Sequence, residues 1–419
     1  MSSPPSSKAL SRVAVVGAGP WGLLLAESLA SSNCDVVVFE EHSRVGLPRH
    51  CAGIVSTRVF SSLGEPIECV EAEHRSLRVV TRLGGELRLR GSPLLVSLER
   101  VCLEEVLLER AERAGADVRL GVRVERFGEK GEVVVEGGVE RFDHVVLAFG
   151  ARSELSPLLW ERVRSGLPGL NAVVELEEPP LDGSEVLVLV DHSIARGFFS
   201  WFAPLGGRRA LVGLASESWR GGRRRLEAAV KAAVGAKVRS FLNLFGGVVL
   251  RGPPLRRLWA GRVTVVGDAG GLVKPLTGGG LYSASLVAER VKGASCEEAL
   301  RELRLALSDE ARRLRLSRPL AEIVHDPANE GLVDSIISAL GSSGLPELLD
   351  FDEHERVLSL LARDLRLATR VALTLIARGS RLDNARRLLE LALELASPSV
   401  PRPTVSRPSS SAKRHRPRA

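Results

Sequence analysis

Three glycines, Gly17, Gly19 and Gly22, and an acid, Glu40, stand at the spacing that holds a dinucleotide. Gly17 makes the tight turn, Gly19 lets a pyrophosphate approach the backbone, and Gly22 lets the next helix pack on the strand. The helix N-terminus then offers amide donors and a partial positive charge to phosphates. Glu40 follows at the end of a second apolar run, placed to accept from ribose hydroxyls, which favours FAD or NAD over NADP. A second informative turn follows the run VTVVGD, where Asp268 ends a strand and Gly278, Gly279 and Gly280 open a helix. Between them in sequence, the loop HSRVGLPRHCAGIVS sets His50 and Cys51 among Gly46, Pro48 and Gly53. A loop leaving a parallel strand at this end lies where ligands collect.

The elements that must position these residues alternate between two periods. Val13–Val16 and Val36–Phe39 read as buried parallel strands, with a helix from about Pro20 between them. Residues 76–96 alternate around Gly84 and Gly85 as an antiparallel hairpin. Residues 97–115 form an amphipathic helix headed by Arg100 and closed by Gly115. Three short strands follow, and the run at 144–153 is expected to return to the first sheet. Residues 172–215 alternate again as an antiparallel wall, 222–234 read as a helix, and 295–396 read as helical with breaks at Pro319, Pro327 and 341–346.

Composition narrows the function classes. The chain of 419 residues is 44% hydrophobic, enough for a sizeable core, and its net charge is +7. Residues 397–419 hold six basic side chains and no acid, so the rest is close to neutral and a nucleic-acid partner is not expected. That Ser- and Pro-rich tail is expected to be disordered, with a weak tether to anionic headgroups as its functional reading. Five scattered cysteines without a CxxC pair predict neither a metal site nor a disulfide scaffold. The N-terminus lacks the apolar core of a signal peptide, and no stretch is long enough to span a bilayer. A cytoplasmic protein is expected, with peripheral contact at a membrane surface left open.

GAGPWG with Glu40, the helix headed by Arg100, and VGDAGGLVKPLTGGG together resemble the FAD-binding domain of the para-hydroxybenzoate hydroxylase superfamily. Pro48–Ser56 and the stretch GFFSWFAP at 197–204 are similar to the geranylgeranyl reductase family within it, although Phe199 and Ala203 depart from its Tyr-x-Trp-x-Phe-Pro wall. The resemblance implies an α/β fold: a Rossmann-like FAD-binding domain with an inserted antiparallel sheet and a C-terminal helical region. The boundaries expected are 10–75, 97–155 and 256–294 for the FAD-binding domain, 76–96 and 156–255 for the substrate domain, 295–396 for the helical region and 397–419 for the tail.

The resemblance also implies roles. Arg100 contacts the flavin nucleotide, Asp268 accepts from the ribityl chain, and the amides of Gly278–Gly280 face the flavin N1–C2 edge and stabilise its reduced form. Cys51 lies near the isoalloxazine ring as proton donor or pocket wall, with His50 as its rival. Phe199, Trp201 and Pro204 line an isoprenoid tunnel. The activity implied is reduction of isolated double bonds in isoprenoid lipid chains. No second glycine fingerprint exists, so the donor is external: NAD(P)H, a ferredoxin-like protein or a deazaflavin. Alternatives left open are an aromatic monooxygenase or halogenase, a flavin-using cyclase or isomerase without net redox change, and a non-catalytic FAD scaffold. The role of Lys274 is also open.

Overall fold

A computed structural model describes residues 10–354 except 65–66, 152, 164 and 343–349. The basic tail and the helices expected beyond residue 354 lie outside the described residues.

A short run of β-branched residues without charge is stable only when both faces are covered. Arg12–Val16 meets this by pairing in parallel with Asp35–Glu40 on one side and His144–Leu147 on the other. The first sheet has six strands in the order 259–260, 263–265, 144–147, 12–16, 35–40 and 117–120, all parallel except the edge pair. Helix Pro20–Ala30 packs against helices Arg100–Arg113 and Leu281–Val291. The Ser28 hydroxyl donates to the Ala288 carbonyl at 2.9 Å, tying the first to the third.

The second sheet has eight strands in the order 238–250, 166–176, 209–215, 200–204, 185–190, 70–81, 86–98 and 54–56. It is antiparallel except where Glu185–Val190 runs parallel to Val70–Thr81, so the wall is mixed rather than wholly antiparallel. Helix Gly222–Val234 covers one face through Leu226, Ala229 and Val230. Helix Glu330–Ser342 packs on the other side through Leu332, Val333 and Ile336. Its Asp334 accepts from the Gly85 amide at 2.6 Å, clamping the hairpin turn. A separate three-stranded sheet spans residues 124–141.

Four expectations are corrected. Ile54–Ser56 and Val70–Arg75 pair within the second sheet, although they fall inside the expected 10–75 segment of the first domain. The strand Val238–Leu250 has no counterpart among the expected strands, because Asn243, Gly246 and Gly247 interrupt its apolar pattern. Pro319 does not end a helix: Cys296–His325 runs through it. An interior proline costs about 3 kcal/mol. Here the one helix buries Leu303, Leu307 and Leu314 in the first core and Leu320 and Ile323 in the second, which outweighs the local penalty. Finally, Cys34 pairs with Cys296 and Cys69 with Cys102, against the expectation of no disulfides. The partners lie 262 and 33 residues apart, so spacing along the chain carried no trace of them. Among the described residues no cluster of metal-ligating side chains occurs, and no helix is long and apolar enough to cross a membrane.

Candidate active site

A cavity of about 870 Å³ runs between the two sheets. Gly17, Gly19, Glu40, Arg100, Asp268 and Gly278–Gly280 line one end of it. His50, Cys51, Phe199 and Trp201 line it further along.

The polar end is built from strand ends and helix starts. Gly17 adopts φ +105°, and a Cβ there would lie 2.6 Å from the Ala148 carbonyl oxygen. A Cβ on Gly22 would lie 1.9 Å from the Gly17 carbonyl oxygen, so Gly22 shapes the turn from beneath and does not line the cavity. Gly19 differs: a Cβ there would meet nothing within 4 Å. The space over Gly19 is left open by the protein, as a ligand phosphate against the backbone requires. Glu40 accepts from the Ala18 amide at 2.8 Å and from the His42 amide at 3.0 Å, which holds its carboxylate beside the glycine turn.

The remaining polar groups come from distant segments. Arg100 is paired to Glu104 one turn along its helix. Its Nε is buried without a partner. Burial pushes the Asp268 carboxyl up to about 6, against the opposing pull of Arg100 and His50. The indole nitrogen of Trp21, beside Gly280, and the hydroxyl of Thr277 are also buried without partners. The Gly278 amide donates to the Lys274 carbonyl at 2.7 Å, so the free helix-opening donors begin after it. Open backbone at Gly19, unpartnered donors and a desolvated carboxylate make a donor and acceptor set that fits a dinucleotide with a polyol chain.

The loop carrying His50 and Cys51 bridges the two ends. The His50 ring contacts the Gly246 carbonyl through Nδ1 at 3.0 Å, and its own carbonyl accepts from Asn171 at 3.4 Å. Asn171 in turn accepts from the Trp201 indole at 3.1 Å. Trp201 fits because its neighbour on the next strand is Gly213, where a Cβ would lie 2.3 Å from the indole. Phe199 stands edge-on to Trp201 at 6.1 Å and stacks on Phe198 at 4.1 Å. Beyond them the lining is aliphatic: Leu77, Val79, Leu87 and Val188 from the sheet, with Leu320 and Ile336 from the helices. Pro204 is corrected as a lining residue. It is buried but absent from the cavity wall, because strand periodicity turns it to the face opposite Phe199 and Trp201.

One cluster had no clear signal in the sequence. Lys274 is buried and pairs with Asp352 at 2.9 Å, and Asp352 also accepts from the Ser56 hydroxyl. Burial works against the Asp352 charge, but Lys274, Ser56 and Arg58 more than offset it and hold the carboxyl below its usual range. Arg58 pairs with Asp350 and Glu353, and Tyr282 donates to Glu353 at 2.9 Å. His354, deep beside them, is pushed down to about 3 by burial and then by Lys274. The one hint was a lysine placed between Gly271 and Pro275 in an otherwise uncharged turn.

A family model for an NAD(P)-binding Rossmann-like domain matches residues 15–52. Digeranylgeranylglycerophospholipid reductase 2 of Methanopyrus kandleri is 32% identical over 317 residues, covering 69% of this chain and 78% of that protein. Digeranylgeranylglycerophospholipid reductase 2 of Methanothermobacter thermautotrophicus is 30% identical over 315 residues, covering 69% and 78%. Among solved structures, a geranylgeranyl bacteriochlorophyll reductase-like protein of Thermoplasma acidophilum superposes with TM-score 0.69 at 20% identity, covering 88% of this chain and 99% of that one. A flavin-dependent brominase superposes with TM-score 0.59 at 15% identity, covering 80% and 94%. The structural likenesses show the fold: a Rossmann-like domain with an inserted sheet and added helices, as in flavin-dependent enzymes.

Proposed function

The chain belongs to the digeranylgeranylglycerophospholipid reductase family, and we infer from that premise that it is an FAD-dependent oxidoreductase that saturates isolated double bonds in the isoprenoid chains of a phospholipid. The observation that carries this reading is the two-ended cavity. One end offers dinucleotide chemistry, the other an aliphatic channel, and the His50–Cys51 loop lies between them.

In this reading Gly17, Gly19 and the start of helix Pro20–Ala30 hold the pyrophosphate, and Glu40 accepts from the adenosine ribose. Arg100 would hold phosphate or ribityl oxygens, Asp268 would accept from ribityl hydroxyls, and the amides after Gly278 would meet the pyrimidine edge. Reduced flavin held there would supply the hydride for one alkene carbon. The other carbon then needs a proton, and an unactivated alkene delocalises little charge, so the proton must be in place beforehand. Cys51 is the better placed donor. The His50 ring is engaged at the Gly246 carbonyl through Nδ1. That contact anchors the loop, so His50 serves to position Cys51. The apolar end excludes water and aligns the chain along Phe199 and Trp201.

Trp219 lines the cavity, is 48% exposed, and its ring lies against Gly246 of the edge strand. Leu242 and Leu244 on that strand are exposed, and so are Arg220, Arg223 and Arg224 nearby in the chain. An aromatic and aliphatic rim with arginines around it suits entry of a lipid from an anionic membrane surface. Reducing equivalents come from an external donor.

The test is to load the full chain with FAD, reduce it chemically, and add digeranylgeranylglycerophospholipid. Product heavier by two hydrogens per double bond is expected in the mass spectrum. Product of unchanged mass, or with added oxygen, sinks the reductase reading.

A further inference from the structure

The reductase reading leaves a buried ion pair without a task. Lys274 and Asp352 are 2.9 Å apart, with side chains 6% and 2% exposed, and both line the cavity. Taking two charges out of water is costly, and an apolar pair of like volume is often as stable or more so. Fold stability alone therefore does not explain the pair.

Its placement does. Lys274 belongs to the turn that opens helix Leu281–Val291. Its amide donates to the Gly279 carbonyl at 2.9 Å, its carbonyl accepts from the Gly278 amide at 2.7 Å, and its Cε lies 3.1 Å from where a Gly279 Cβ would stand. The ammonium is thus tied to the glycine turn, and it also rests over the Phe351 ring at 4.3 Å. Asp352 is held from a different element, by Ser56 at the end of strand Ile54–Ser56.

We propose that Lys274 is a positioning residue that keeps a positive charge against the flavin-facing glycine turn, and that Asp352 offsets a set part of that charge, so that the pair tunes how readily the flavin is reduced. This rests on the flavin reading of the turn. A reduced flavin carries more negative charge near N1 than the oxidised form, so a cation there favours reduction and a nearby carboxylate opposes it.

The two single variants must then act in opposite directions. With FAD bound, Lys274→Met lowers the reduced-to-oxidised ratio at fixed ambient potential by about tenfold, which is about 30 mV for a two-electron couple. Asp352→Asn raises that ratio by a similar factor, and the neutral double variant returns close to the parent. Lys274→Arg, which keeps the charge, stays on the parent's side. Dye-equilibrated redox titration of all five proteins reads the effect, and melting temperatures show that each is folded. Singles that shift the same way, or potentials that all coincide, overturn the proposal and leave the flavin site intact. A parent chain that takes up no flavin overturns the underlying reading and the proposal with it.

Discussion

The two ends of the cavity differ in how their residues are supplied. The polar end comes mainly from two short runs, 17–21 and 267–280, each with several contributing residues, to which Glu40 and Arg100 are added singly. Each contributes backbone geometry or a charge at a strand end or helix start. The apolar end takes between one and four side chains each from strands 70–81, 86–98, 185–190 and 200–204 and from helices 296–325 and 330–342. A binding end made of backbone needs glycine at specific places and tolerates little change. A wall made of aliphatic side chains needs only volume and apolarity, so many residues serve. The first is expected to fail by single substitutions, the second to be reshaped by them.

The largest expected effect separates two glycines of the same turn. Gly22→Ala places a methyl 1.9 Å from a backbone carbonyl oxygen and is expected to destabilise the fold by about 3 kcal/mol or more. Gly19→Ala, whose Cβ meets nothing, is expected to leave stability within about 0.5 kcal/mol while weakening FAD binding by about tenfold or more. Thermal melts and flavin titration read both. If Gly19→Ala binds FAD like the parent, the pyrophosphate does not lie on this turn.

At the apolar end, Ile336→Trp is expected to fill part of the channel. Turnover of a twenty-carbon chain should fall by about tenfold, a loss of about 1.4 kcal/mol of transition-state binding, while FAD affinity holds. Loss of FAD affinity in step with turnover would mean that the two ends are not separable.

Acid gives the smallest and most graded contrast. His74 and His144 are pushed down to about 4, and His325 and His354 to about 3, all chiefly by burial. They stay neutral in the fold while the unfolded chain protonates below about 6.5. Stability is therefore full above that value and declines as pH falls toward 3–4, by up to about 1.4 kcal/mol per histidine per pH unit. Asp268, raised to about 6, takes up its proton in the folded state first and partly opposes this loss as pH falls from 6 toward 4. Protonation also removes an acceptor from the polar end. Denaturant melts at pH 7 and 5 should show the stability loss, and flavin titrations over the same range should show affinity weakening below about pH 6. A flavin affinity unchanged between pH 7 and 5 would exclude Asp268 as a cofactor ligand.

The same contrast explains what was legible. Gly17, Gly19, Glu40 and the 268–280 turn could be singled out because a glycine turn between a strand and a helix is a local object whose constraints lie within a few residues. Arg100, His50 and Cys51 needed a resemblance to suggest them, since an arginine at a helix start or a cysteine in a loop is common. Pro204 was misplaced because period 2 decides facing only once the strand's register and core side are known. Lys274 could be singled out as odd, but its partner could not: Asp352 lies 78 residues away and no local pattern links them.

By itself, the amino-acid sequence determined the order of strands and helices around the first sheet, the glycine turn and its acid, and the overall apolar and charged balance. These follow from backbone sterics and from periodicity, which act over a few residues. The tertiary structure alone decided that Cys34 meets Cys296, that one helix carries Pro319 across two cores, and that a lysine and an aspartate share a buried site beside the glycine turn. Such pairings depend on where distant segments come to rest. That is set by the summed burial of many weakly specific side chains, so no short stretch of sequence records it.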